Sequence, residues 1–128
     1  MARILIIDDD PDVRSLLEQT LKSSGHETEM AADGKEGLRL YDLKPADVVI
    51  TDLYMPTKGG LETIIELRRR SPEVPIIALS GTGAAEKMLS IAQKFGAFAS
   101  LHKPFTPEEL EAAVRKATDK KVKFIPPP

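Results

Sequence analysis

"ILIIDDDPD", Ile4 to Asp12, runs four apolar residues straight into three adjacent carboxylates. An unbroken apolar run this short suits a strand buried on both faces, as in a parallel sheet. The acids that follow repel one another, so they carry an electrostatic cost unless a cation offsets it. One of them has a plain structural use. Asp10 followed by Pro11 reads as an N-cap and the first helical residue. Asp8 and Asp9 are left without that use.

Two more stretches match the first: "VVI" (Val48–Ile50) and "IIAL" (Ile76–Leu79). "HETEMA" (His26–Ala31) and "AFASL" (Ala97–Leu101) are more polar and read as edge strands. Helical spacing connects them. Val13, Leu16, Leu17, Thr20 and Leu21 repeat after Pro11. Leu110, Ala113, Val114 and Ala117 repeat behind Thr106 and Glu109, which have capping-box spacing. Weaker patterns predict helices over Gly34–Asp42, Gly60–Ser71 and Ala84–Phe95. Strand then helix, five times over, predicts a doubly wound α/β fold with right-handed crossovers. Three buried central strands and two polar edges fit a five-stranded parallel sheet of order 2-1-3-4-5.

Composition narrows the class. A chain of 128 residues fits one domain, and a formal net charge of −2 argues against direct nucleic-acid binding. With no cysteine, neither a disulfide framework nor a thiolate metal site exists. No apolar run approaches the roughly 20 residues of a membrane span, and "MARILIID" lacks signal-peptide anatomy. The expectation is a soluble cytoplasmic domain with no membrane partner. Residues 122–128, ending in three prolines, read as a short proline-rich tail or linker stub.

The predicted topology sorts the polar residues. Asp8 and Asp9 follow the first strand, Asp52 the third, Ser80 the fourth and Lys103 the fifth. In a parallel sheet all five converge on the carboxyl edge, at the switch point between strands 1 and 3. Each alone has an ordinary reading: Asp52 a loop residue, Ser80 a turn residue, Lys103 a solvated side chain. His26 and His102 are too far apart in sequence to suggest a histidine metal site. The ordinary readings do not predict five such residues on one edge. Three carboxylates against one ammonium leave an excess of negative charge. A hard divalent cation such as Mg²⁺, which prefers carboxylate, water and phosphate oxygens, offsets it. A carboxylate beside that cation can accept a phosphoryl group, with Lys103 neutralising the charge that develops.

"IDDDPDVR", "ITDLYMPTKGG", "IIALSGTG" and "HKPF" resemble the motifs of bacterial response-regulator receiver domains, in order and spacing, from Arg3 to about Lys120. The resemblance implies a receiver over residues 1–121, folded as a flavodoxin-like (βα)5 three-layer sandwich. It implies Asp52 as phosphoacceptor, with Ser80 and Lys103 gripping phosphoryl oxygens. Asp9 would bind Mg²⁺ directly and Asp8 mainly through water, with Asp52 and the Tyr54 carbonyl completing the protein ligands; Mn²⁺ would substitute. The donor would be a sensor histidine kinase, a histidine phosphotransfer protein or a small acyl phosphate. The family's bond between Lys103 and Pro104 is cis. Its output passes to a downstream protein or output domain through the face of the fourth helix, fifth strand and fifth helix. Many members carry an aromatic residue three positions before the lysine, where this chain has Ser100.

Two other classes compete. A haloacid-dehalogenase-like phosphohydrolase would use Asp8 and Asp10 in Asp-x-Asp spacing, but Pro11 breaks its motif and no acidic pair follows Lys103 at a strand end. A receiver-shaped binding module that is never phosphorylated would not need the complete site.

Overall fold

Ile4 to Ile7 form a strand because their side chains alternate between two different helical layers, leaving no face for water. In the computed structural model, which describes residues 2–53, 59–81 and 85–119, this strand is β1 (Arg3–Ile7). It is followed by α1 (Pro11–Ser23), β2 (Glu27–Ala31), α2 (Gly34–Leu43), β3 (Val48–Asp52), α3 (Gly60–Arg70), β4 (Ile76–Ser80), α4 (Ala85–Lys94), β5 (Ala99–His102) and α5 (Pro107–Asp119). All pairings are parallel and the order is β2-β1-β3-β4-β5, as predicted.

The alternation builds two cores. Ile4, Ile6, Val48, Ile50, Ile77 and Leu79 pack on Leu17 and Leu21 of α1 and on Leu110, Val114 and Ala117 of α5. Leu5, Ile7, Val49, Ile76 and Ala78 pack on Leu38 and Tyr41 of α2, Ile64 and Leu67 of α3 and Ala92 of α4. The fold is therefore a three-layer sandwich with the sheet in the middle. Each fully buried aliphatic side chain contributes about 1.5–3 kcal/mol of apolar transfer.

The local signals hold where they were specific. Asp10 caps α1 by accepting from the Asp12 N–H at 2.9 Å, with Pro11 in the first turn. Thr106 and Glu109 close a reciprocal box at the start of α5, at 3.0 and 3.1 Å. The Lys103–Pro104 bond is cis. β5 starts two residues later than the sequence suggests. The Ala97 N–H is taken by the Ala92 carbonyl, and Gly96 has φ +121°, so residues 95–97 close the end of α4 before the chain can extend. The β2 edge keeps its polarity because Arg3 reaches across to Glu27 and Glu29 at 2.8 and 2.7 Å. Among the described residues no helix is long and apolar enough to cross a membrane. The Tyr54 carbonyl and the stretch 122–128 lie outside the described residues.

One histidine couples the fold to pH. His26 Nδ1 accepts a hydrogen bond from the Ala2 N–H at 3.1 Å, which requires that nitrogen to be unprotonated. Burial, and then the positive charge of the chain's amino terminus, hold the ring's pKa below its ordinary 6.5, while Glu111 pulls the other way. A depressed histidine stabilises the fold above its unfolded pKa, and that contribution disappears as pH falls below about 6.5. The melting temperature of the parent should therefore drop more steeply between about pH 7 and 5 than that of His26→Asn, whose side-chain oxygen can still accept the bond. Parallel curves for the two proteins would count against the coupling.

Candidate functional site

The carboxyl ends of β1, β3, β4 and β5 meet in one polar cleft. Asp52 and Ser80 are the last residues of β3 and β4, and Asp8 and Lys103 directly follow β1 and β5. Asp8 is fully buried, and Asp52 and Ser80 are each 4 % exposed. Burying two carboxylates this deeply is costly unless they are paired. Lys103 is the partner. Its Nζ donates to Asp8 Oδ2 at 3.1 Å and lies 3.6 Å from Asp52 Oδ1. Burial pulls the Lys103 ammonium down, but the Asp8 hydrogen bond and the charges of Asp52 and Asp8 outweigh it, so its pKa stands above the usual lysine value. The lysine stays charged at neutral pH.

Asp8 is held on every side. Its Oδ1 accepts from the Asp10 N–H at 2.9 Å, its N–H donates to the Ala31 carbonyl at 3.1 Å, and its carbonyl accepts from Arg14 Nη1 at 2.8 Å. The Lys103 N–H donates to the Ser80 carbonyl at 2.7 Å, which fixes the end of β5 against β4. Asp9 is exposed at the rim.

Asp8, Asp9 and Asp52 each offer an oxygen within 4.8 Å of the others. This is an all-oxygen donor set with more negative charge than Lys103 alone balances, which fits a hard divalent cation. Ser80 Oγ is buried and has no hydrogen-bond partner among the described residues. A buried hydroxyl is normally satisfied, so this one stands out beside the acidic cluster.

The five residues singled out from the sequence are thus brought together. Asp10 is not. Its carboxylate is spent on the α1 cap, and the Glu109 carboxylate accepts from the Thr106 N–H in the α5 cap, so the Asp-x-Asp arrangement of a dehalogenase-like site is not assembled. Two contributors escaped the sequence reading. Arg14 sits in the quoted acidic motif but reads as an ordinary helix residue until its contact with Asp8 is seen. Gly60 reads as a helix start, yet its Cα lies against the Asp52 backbone.

The model of the response regulator receiver domain matches residues 4–115. The chain belongs to the response-regulator receiver family. It is 38% identical over 114 residues to the probable transcriptional regulator ycf27 of Cyanophora paradoxa, across 88% of this chain and 46% of that protein. Among solved structures, a receiver domain protein from Clostridium thermocellum has 34% identity and a TM-score of 0.87, covering 93% of this chain and 95% of the other. The chemotaxis protein CheY4 of Vibrio cholerae has 34% identity and a TM-score of 0.85, covering 91% and 98%. The receiver spans about half or less of the length of the curated relatives it matches. It is a signalling switch domain of two-component systems.

Proposed function

We propose that this receiver accepts a phosphoryl group on Asp52 from a histidine kinase, a histidine phosphotransfer protein or a small acyl phosphate. The observation that carries this is the meeting of Asp8, Asp9, Asp52, Ser80 and Lys103 at one sheet edge, with Lys103 between the two buried acids. An oxygen of Asp52 attacks phosphorus. The bond from phosphorus to the donor's imidazole nitrogen or acyl oxygen breaks, and that group leaves with the electron pair. Lys103 neutralises charge on the transferred oxygens, and the free Ser80 hydroxyl donates to one of them. Asp8, Asp9 and Asp52, with the Tyr54 carbonyl, would hold Mg²⁺, or Mn²⁺ in its place, which supplies further charge neutralisation when bound. Water in the same site reverses the modification by hydrolysing the acyl phosphate, so the domain is a timed switch and not a metabolic enzyme. The phosphorylated form signals to a downstream protein or output domain through the face of α4, β5 and α5. Residues 1–121 form this unit, and 122–128 are a tail or linker stub. Intact mass after incubation with acetyl phosphate and Mg²⁺ is the direct test.

Two side chains separate capture of the phosphoryl group from stability. Lys103→Ala removes a cation from an acidic cleft, so Mg²⁺ binding should stay at least as tight while phosphorylation slows about tenfold or more. Weaker Mg²⁺ binding, measured by calorimetry, would speak against Lys103 acting on the transferred group. Ser80→Ala removes a hydroxyl that has no partner among the described residues, so the melting temperature should hold or rise while phosphorylation slows. A clear loss of stability would mean that Ser80 has a structural role instead.

A further inference from the structure

We propose that Gly60 is a positioning residue for Asp52, which sets where the acceptor carboxylate stands by resting α3 directly on the acceptor's own peptide. This rests on the reading of Asp52 as the phosphoryl acceptor. Gly60 opens α3, and positive φ among the described glycines is confined to Gly25 and Gly96. Backbone conformation therefore does not demand glycine here. Space does. A Cβ at Gly60 would overlap the Asp52 carbonyl oxygen and lie 2.5 Å from Leu53 Cα and 2.8 Å from the Asp52 carbonyl carbon. Real Cβ contacts essentially never fall below 3.0 Å, and all three neighbours are main-chain atoms that no rotamer change can move.

The residue that follows Asp52 is held from two sides. The Leu53 N–H donates to the Leu79 carbonyl of β4 at 2.9 Å, and the Leu53 carbonyl accepts from the Gly60 N–H at 3.2 Å. β4 thus fixes the strand end laterally while α3 fixes its depth. At that depth the Asp52 carboxylate sits 3.6 Å from Lys103 Nζ and within reach of the Asp8 and Asp9 oxygens. A methyl group at residue 60 forces a shift of about 1 Å between α3 and the peptide that carries Asp52. A displacement of that size can cost about 100-fold in a positioned reaction.

A second glycine supplies the control. A Cβ at Gly37 of α2 would overlap Ile7 Cδ1 and lie 2.7 Å from Ile7 Cγ1, but these are side-chain atoms, and none of the close contacts is with the backbone of Asp52 or Leu53. Both substitutions overpack. Only one presses on the acceptor.

The test compares the parent, Gly60→Ala, Gly37→Ala and Asp52→Asn. Each is incubated with acetyl phosphate at saturating Mg²⁺, well below its own melting temperature, and the adduct is followed by intact mass. Stability loss alone acts through the unfolded fraction, which is negligible there, so it does not move this rate. The expected result is a rate about tenfold or more below the parent for Gly60→Ala and within about twofold for Gly37→Ala. A Gly60→Ala rate within about twofold of the parent, or an equal fall in both alanine variants, overturns the proposal. If Gly60→Ala does not fold in buffer, the series is run in trimethylamine N-oxide, which favours the compact state. Failure to fold there also overturns it, since Gly60 would then serve the whole fold. If the parent itself acquires no adduct, or Asp52→Asn keeps one, the acceptor assignment falls and the positioning role falls with it, a result distinct from a normal rate in Gly60→Ala.

Discussion

Asp52→Asn should abolish the phosphoryl adduct or slow its formation severely. The amide is close in shape to the carboxylate, so the core of β3 should hold, but it carries no negative charge and its oxygen is a poor nucleophile. The substitution also removes one of two buried acids beside Lys103, which lowers the negative charge of the cleft. With acetyl phosphate and Mg²⁺, the parent should gain one adduct and Asp52→Asn should react about 100-fold more slowly or not at all, a barrier change of about 2.7 kcal/mol or more. Mass spectrometry reads this without any assumption about a partner. An adduct that persists in Asp52→Asn and disappears in Asp8→Asn would return the site to dehalogenase-like chemistry. A parent that never takes the group, under conditions where Mg²⁺ binds, would make this a receiver-shaped binding module.

Mg²⁺ should raise the melting temperature of the parent, and Asp9→Asn should remove most of that rise while stabilising the metal-free protein. Asp8, Asp9 and Asp52 hold their oxygens within 4.8 Å of each other. Even with full water screening, charges at such a distance repel by about 1 kcal/mol per pair. Asp9 is the exposed member, so its neutralisation relieves repulsion without leaving a buried group unpaired. A cation that binds only the native state stabilises by mass action, about 1.4 kcal/mol at ten times its dissociation constant. For a domain of this size that is a shift of roughly 5 °C. Differential scanning fluorimetry with and without Mg²⁺ measures both effects. No shift in the parent would remove the metal seat. An unchanged shift in Asp9→Asn would remove Asp9 from it.

The layer structure was legible because burial on both faces writes an unambiguous pattern. "ILII", "VVI" and "IIAL" have no polar side, and the only arrangement that hides both sides of three adjacent strands is a parallel sheet between helices. From there the crossover rule places every strand's carboxyl end on one edge. Asp8, Asp9, Asp52, Ser80 and Lys103 could then be collected although they are scattered over 95 positions in the chain. The capping signals at Asp10 and Thr106 were equally local and held for the same reason. The start of β5 was less legible, because Ala97 and Phe98 suit a strand by type and only the Gly96 turn spends the Ala97 N–H on α4.

The sequence by itself determined the number and order of elements, the edge on which the chemistry sits and the residue types present there. Each of these follows from periodicity or from spacing along the chain. Tertiary structure alone decided the pairings: Lys103 between Asp8 and Asp52, the Arg14 guanidinium on the Asp8 carbonyl, the unpartnered Ser80 hydroxyl, and Gly60 against the Asp52 peptide. These depend on distances between elements far apart in the chain, and on how deeply two helices settle on the sheet. A side chain's type says what it can bond to, and only the packed neighbours say whether that partner is within about 3 Å.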